Sequence, residues 1–101
     1  MKSQEVYNLL IKIPKGKVAT YGELARVLET SPRAVGQILK ANGNPGKYPC
    51  FRVVRSNGKI GGYFGHTQGR LVEKKISLLR KDGIEIRDGI VNLKNHGFRF
   101  A

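Results

Sequence analysis

The sequence predicts a small, mostly helical α+β domain with a helix-turn-helix of winged-helix-like type and a short C-terminal β-hairpin. Three observations lead there. Apolar residues recur at helical spacing in four stretches. Cap and turn signals divide residues 20–40 into two short helices. Near the end, Asp88-Gly89 stands between β-branched residues, a hairpin signal. A chain of 101 residues, 40% hydrophobic, makes one domain, with an expected radius of gyration of roughly 13 Å.

In the first helix Val6, Leu9, Leu10 and Ile13 fall at i, i+3, i+4 and i+7, and Pro14 stops the run. Lys15-Gly16-Lys17 makes a turn. Thr20 and Glu23 fit a capping box, hydroxyl to a backbone N–H and carboxylate back to the cap, opening a helix through Leu24, Ala25, Val27 and Leu28. Ser31 is the next N-cap, with Pro32 in the first helical position. In the helix that follows, Ala34, Val35, Ile38 and Leu39 form the apolar side, and Arg33, Gln37 and Lys40 line a polar face. Two short helices so joined, the second presenting Arg, Gln and Lys, form a helix-turn-helix pattern suited to DNA.

From Asn42 to Gly69 the chain reads as a long loop holding seven of the thirteen glycines, with Asn57-Gly58 as a turn. Loops of this length in a compact domain are usually functional. A last helix is expected from about Thr67 to Lys81, with Leu71, Val72, Ile76, Leu78 and Leu79 inward and Gly83 as its C-cap. Ile84-Glu85-Ile86 and Ile90-Val91 flank the hairpin turn.

Charge narrows the function. Nineteen Lys and Arg against seven Asp and Glu leave a formal +12. Between Glu29 and Glu73 there is no acid, while Arg33, Lys40, Lys47, Arg52, Arg55, Lys59 and Arg70 all lie there. Such a stretch suits a polyanion, because cations that neutralise phosphates release counterions. A single cysteine excludes an internal disulfide and argues against a Cys-rich zinc site. No apolar run is long enough to span a membrane, and no segment pairs a basic face with an aromatic one. The start lacks the apolar core of a secretory signal. The expected location is therefore cytoplasmic, with the nucleoid or nucleus as variants.

Cys50 lies in Tyr48-Pro49-Cys50-Phe51-Arg52-Val53-Val54. By position alone it reads equally as a small core hydrophobe or a reactive thiol. With Val18-Ala19-Thr20-Tyr21-Gly22-Glu23-Leu24-Ala25, Arg33-Ala34-Val35-Gly36, Asn42, Ser56-Asn57-Gly58, Gly61-Gly62-Tyr63, Lys75 and Asp82-Gly83, it forms a pattern in register over about residues 5 to 86. That pattern resembles the active-site domain of the alkylguanine-DNA alkyltransferases and their alkyltransferase-like relatives.

The resemblance implies a helix-turn-helix that enters the minor groove of duplex DNA and flips an alkylated guanine out of the stack, since chemistry on a base needs the base exposed. It implies Cys50 as alkyl acceptor in an irreversible, single-use transfer with no cofactor and no metal. Arg33 becomes the finger filling the vacated stack, Tyr21 the residue that helps rotate the nucleotide, and Asn42 the hinge. Gln37, Lys40 and Arg52 become further DNA contacts. Pro49, Val53 and Tyr63 form the base pocket, with Tyr63 closing over the base, and Asp82 takes the place of the relay's acid. Read alone, Tyr21 fits a core aromatic, Asn42 a left-handed helix C-cap, and Arg33 and Lys40 plain phosphate contacts or solvated side chains.

Two departures stand out. The family's usual Pro-Cys-His-Arg-Val carries Phe51 here in place of His, and a phenyl ring takes no proton from sulfur. His66 and His96 are the remaining imidazoles. The chain is also as short as the alkyltransferase-like proteins, which bind lesions without repairing them, and an N-terminal domain is expected to be absent. Two readings follow: transfer to Cys50, or lesion binding that recruits other repair proteins. A sequence-specific regulator of the helix-turn-helix class would need a dimer, and a monomer is expected here.

Overall fold

The computed structural model describes residues 3–63 and 68–100. The elements are α1 (Ser3–Lys12), β1 (Ala19–Thr20), α2 (Tyr21–Leu28), α3 (Pro32–Lys40), a 3-10 turn at Cys50–Arg52, β2 (Val53–Val54), α4 (Arg70–Lys81), β3 (Ile86–Arg87), β4 (Ile90–Val91) and α5 (Leu93–His96). The radius of gyration is 12.1 Å, close to the single-domain expectation.

Local signals place most helix ends. Pro14 follows α1 closely, because the residue before a proline is driven from the helical region. Thr20 accepts from the Glu23 N–H at 3.0 Å, and Ser31 from the Ala34 N–H at 3.1 Å. Only half of the expected capping box forms. The Glu23 carboxylate turns instead to Arg26, at 2.9 and 2.7 Å, and to the Phe100 N–H at 2.8 Å. A guanidinium one turn on and an amide from the C-terminal tail give that buried carboxylate charge-assisted, tertiary partners.

α4 begins at Arg70, after Gly69; the expected start at Thr67 lies outside the described residues. At its other end Gly83, with φ +87°, donates to Arg80 O, and Ile84 donates to Leu79 O. This is a Schellman ending, with Gly83 one residue beyond the cap. Leu79 and Ile84 are buried in one cluster, completing the motif's apolar contact.

The long loop holds more order than its composition suggests. β2 pairs in parallel with β1, Ala19 with Val53 and Thr20 with Val54. Strand side chains alternate between faces, so this short sheet separates two cores. Ala19 and Val53 join Val6, Leu10, Leu24 and Val35 among the first three helices. Val18 and Val54 join Ile60, Leu79, Ile84 and Val91 under α4 and the hairpin.

The hairpin forms as expected. Ile86 faces Val91, and the turn residues Asp88 and Gly89 both have positive φ, at 51° and 73°, as a type I′ turn requires. It docks on the Asn57-Gly58 turn through Val91 N to Gly58 O at 2.8 Å and Ile60 N to Gly89 O at 3.1 Å. Past it, α5 and the tail return to β1: Val18 donates to His96 O and accepts from Phe98 N, both at 2.8 Å. No helix is long and apolar enough to cross a membrane among the described residues.

Gly58 has φ +85°, and a Cβ there would lie 2.6 Å from Val91 O. Gly58→Ala is expected to cost about 2 kcal/mol through backbone strain and loss of the hairpin contact. Urea unfolding of the two proteins checks this, and an unchanged midpoint would contradict it.

Candidate active site and nucleic-acid interface

The site begins where α3 ends. Ala41 caps the helix, and Asn42 follows without the left-handed conformation its composition allowed. Asn42 is buried. Its Nδ2 donates to Tyr48 O at 2.9 Å and its Oδ1 accepts from Asn44 N at 3.0 Å. One side chain therefore fixes the chain between the helix and Pro49. Cys50 then opens the 3-10 turn, 4% exposed. The Asn42 and Tyr63 side chains and the Lys75 amine all act on the sulfur in the direction that favours the thiolate.

Burial pushes the Cys50 thiol above its ordinary value, against the pull of Asn42, Lys75, its own amide and Tyr63. The same burial, with Cys50 beside it, pushes the Tyr63 phenol up to about 12. Tyr63 is thus a neutral hydroxyl at any physiological pH, suited to donate to a thiolate. Tyr21, the first residue of α2, is raised by burial and by Cys50 and lowered by Arg55. Asn42 and Tyr63 therefore act directly on the Cys50 sulfur, while Tyr21 packs against the core cluster that holds it.

Lys75 belongs to the family pattern but was assigned no part in the site. It is 1% exposed, and its Nζ donates to Val53 O and Ile60 O at 2.7 Å and Gly62 O at 3.0 Å. Three donors for three carbonyls is a match only the ammonium makes. Its ammonium also lies 5.9 Å from the centre of the Tyr21 ring. Its spacing offered the signal: Lys75 stands four residues from both Leu71 and Leu79, within the apolar stripe of α4.

The expected relay is not assembled. Arg52 donates to both oxygens of Asp82, at 2.7 and 3.3 Å, and to Ile13 O at 3.1 Å. Its guanidinium also lies 5.2 Å from the centre of the Phe51 ring. Asp82 and Arg52 thus join α4 to the Cys50 turn and to the end of α1, with most of their surface withdrawn from a DNA contact. His96 sits in α5, its Nδ1 against Gly16 O at 3.2 Å and its Nε2 accepting from Glu85 N at 3.4 Å. His66 lies outside the described residues. Of the expected base-pocket residues, Pro49 and Tyr63 line a cavity of ≈ 420 Å³. Val53 is fully buried, its carbonyl held by Lys75 and its N–H by Cys50 O.

On the outer surface Arg33, Gln37 and Lys40 are all exposed along α3. Arg33 and Tyr21 share a cleft of ≈ 880 Å³ whose other wall is the 55–62 turn, with Arg55 and Lys59. Gln37 and Lys40 do not line it. Arg55 and Lys59 were legible only as members of the acid-free stretch, because nothing local says that a loop faces a helix 20 residues earlier.

Burial draws the Lys75 amine down to about 7, with the Cys50 charge opposing. Between that value and the ordinary one the unfolded chain keeps a proton that the folded chain has shed, so stability rises with pH. From about pH 7 to 8, before an unfolded cysteine titrates appreciably, unfolding free energy is expected to increase in the wild type. Lys75→Met should be less stable, by about 2 kcal/mol for its orphaned carbonyls, and should lose that slope. Equal slopes in the two proteins would show that Lys75 does not titrate here.

Residues 2–84 match the model described as 6-O-methylguanine DNA methyltransferase, DNA binding domain. A bifunctional methyltransferase/endonuclease of Picrophilus torridus is 42% identical over 95 residues, covering 92% of this chain and 30% of that protein. A methylated-DNA–protein-cysteine methyltransferase of Saccharolobus islandicus is 46% identical over 81 residues, covering 80% of this chain and 50% of that protein. The chain thus spans half or less of the length of these curated relatives. Among solved structures, S. pombe Atl1 in complex with damaged DNA containing O6-carboxymethylguanine superposes with a TM-score of 0.83 at 30% identity, over 97% of this chain and 94% of that one. The methyltransferase of Pyrococcus kodakaraensis gives 0.70 at 43% identity, over 81% and 46%. A buried cysteine beside a helix-turn-helix, with these matches across most of the chain, places the protein in the 6-O-methylguanine DNA methyltransferase family, in the part that forms its DNA-binding domain.

Proposed function

We propose that this protein acts in DNA repair, binding duplex DNA that carries an alkylated guanine and taking the alkyl group onto Cys50. The observation that carries this reading is the buried Cys50 thiol, acted on by Asn42, Lys75 and Tyr63 in favour of the thiolate, with its neighbours Pro49 and Phe51 lining a cavity. The relatives named for this transfer, and the neighbour solved with damaged DNA, support it. The protein works as a monomer, where DNA is.

In this mechanism α3 lies along the duplex and Arg33 enters the stack from the cleft that it shares with Tyr21. Tyr21 crowds the phosphate as the nucleotide turns out, and Asn42 keeps the recognition helix and the Cys50 turn in one orientation. Gln37 and Lys40 contact the backbone. The thiol loses its proton to solvent, the thiolate attacks the alkyl carbon, and the carbon–oxygen pair passes to the guanine oxygen. The guanine then takes a proton from water. With Phe51 offering no base, the Asn42 and Tyr63 side chains favour the thiolate against burial, joined by Lys75 while its amine is protonated. Transfer is therefore slow at neutral pH and rises with it, since the raised thiol is mostly protonated there.

A second reading, lesion binding that hands over to other repair proteins, is favoured by that same raised thiol and by the near-complete overlap with Atl1. Incubation with an O6-methylguanine duplex, followed by intact-mass measurement, separates the two. One added methyl group, forming about tenfold faster at pH 8.5 than at 7.5, is expected of the wild type and none of Cys50→Ala. A wild-type mass that never changes, with lesion affinity intact, would establish the second reading.

The DNA contacts are tested separately. Arg33→Ala is expected to reduce the preference for lesion over plain duplex about tenfold, with little loss of general affinity. Lys40→Ala should weaken both alike and lower the salt slope by about one. An unchanged lesion preference in Arg33→Ala would remove the finger role.

A further inference from the structure

Arg55 stands between two segments of the family motif, residues 49–54 and 56–58, so the resemblance gives it no role. The fold brings its side chain to Tyr21. A Cβ at Gly61, where φ is +74°, would stand 3.1 Å from Cγ of Arg55 and 3.5 Å from Cε2 of Tyr21. The bare Cα of Gly61 therefore lets the Arg55 stem and the Tyr21 ring come together over it. Both side chains line the ≈ 880 Å³ cleft, which Arg33 also lines. Burial raises the Tyr21 phenol, and the Arg55 charge is near enough to oppose it.

Arg55 is exposed, and no acid lies within ion-pair distance of it among the described residues. Asp88, the acid in the cleft lining, pairs with no described cation either. The backbone that carries Arg55 is braced. Gly58 N donates to Arg55 O at 2.8 Å, and Arg55 N donates to Lys59 O at 2.9 Å. Behind them the C-terminal hairpin pairs with Gly58 and Ile60, and that hairpin lies beyond the residues 2–84 matched to the family. An unanswered guanidinium thus stands on a braced turn, in the same cleft as Tyr21 and Arg33.

We propose that Arg55 is a positioning residue for base flipping: its guanidinium holds the backbone phosphate of the turned-out nucleotide, the one that Tyr21 crowds. The inference rests on the proposed function, because it needs a nucleotide turned into the site. A guanidinium suits the task, since its planar fork meets two phosphate oxygens at once. The work then divides among three side chains. Arg33 fills the vacated stack, Tyr21 crowds the phosphate from its ordinary place, and Arg55 receives it. Lys59, four residues on in the same wall, adds only general attraction for DNA. Solvent screens a pair made by an exposed side chain, so the effect is about fivefold.

The test uses the full chain carrying Cys50→Ala, so that the lesion is not consumed. Its ligands are O6-methylguanine duplexes in which one phosphate is a neutral methylphosphonate, on the 3′ side of the lesion, on its 5′ side, or well outside the site. At one flanking position affinity is expected to fall about fivefold, and adding Arg55→Gln should remove that loss. Adding Lys59→Gln should leave the loss in place, and the distant replacement should cost every variant alike. A purely structural effect of Arg55→Gln would not single out one phosphate. A loss that persists in Arg55→Gln, a loss removed by Lys59→Gln, or no loss at either flanking phosphate would overturn the inference alone. If the lesion duplex with all its phosphates is bound no better than plain duplex, the proposed function fails and the inference with it.

Discussion

Lys75 is buried with its three N–H directions taken by the carbonyls of Val53, Ile60 and Gly62, and the site depends on that arrangement. Val53 directly follows the Cys50 turn, while Ile60 and Gly62 lead into Tyr63. The amine therefore fixes the distance between the stretch that carries the sulfur and the stretch that carries its hydrogen-bond donor. Neither stretch has enough regular structure to do so alone: β2 is two residues long and, among the described residues, pairs with β1 alone. An ammonium here is costly to bury, and its three good hydrogen bonds offset that cost while placing positive charge beside a thiol. Structural restraint and electrostatic support for a thiolate come from one atom.

The replacement of the family's usual His by Phe51 has consequences beyond the missing base. Phe51 packs against both cores and lies against the Arg52 guanidinium. Arg52 reaches from there to Asp82 and Ile13. The acid at the relay's position is held by Arg52 in a tether between α4 and the Cys50 turn. What had been expected as proton-transfer chemistry has become architecture, and the thiol is left to Asn42, Tyr63 and Lys75. A related division runs through the C-terminus. Residues past 84 lie outside the matched domain, yet the tail supplies Phe100 N to the buried Glu23 and Phe98 N to Val18, so it braces the helix that begins with Tyr21.

Much of the fold was legible because its signals are local. Thr20 and Ser31 cap the helices they precede, Pro14 and Gly83 mark ends, and Asp88-Gly89 forms the turn its backbone freedom allows. The in-register motif likewise marked Tyr21, Asn42, Cys50 and Tyr63, which the structure brings together. The parallel pairing of β1 with β2 was not legible, since two-residue strands have no periodicity to read. The return of α5 and the tail to Val18 escaped for the same reason. The tertiary partners of Glu23 and Lys75 were not legible either. Each is buried because partners distant in sequence, Phe100 for one and three carbonyls for the other, satisfy it.

By itself the sequence determined the helix-turn-helix, the hairpin, the acid-free basic stretch and the cysteine set in a family motif, because each is written in residue type and short-range spacing. Only the tertiary structure decided what surrounds the sulfur, that Arg52 and Asp82 pair with each other, and that Lys75 ties three carbonyls together. Those outcomes depend on which separated segments pack together. Packing of that kind is set by burial and hydrogen-bond satisfaction over the whole chain.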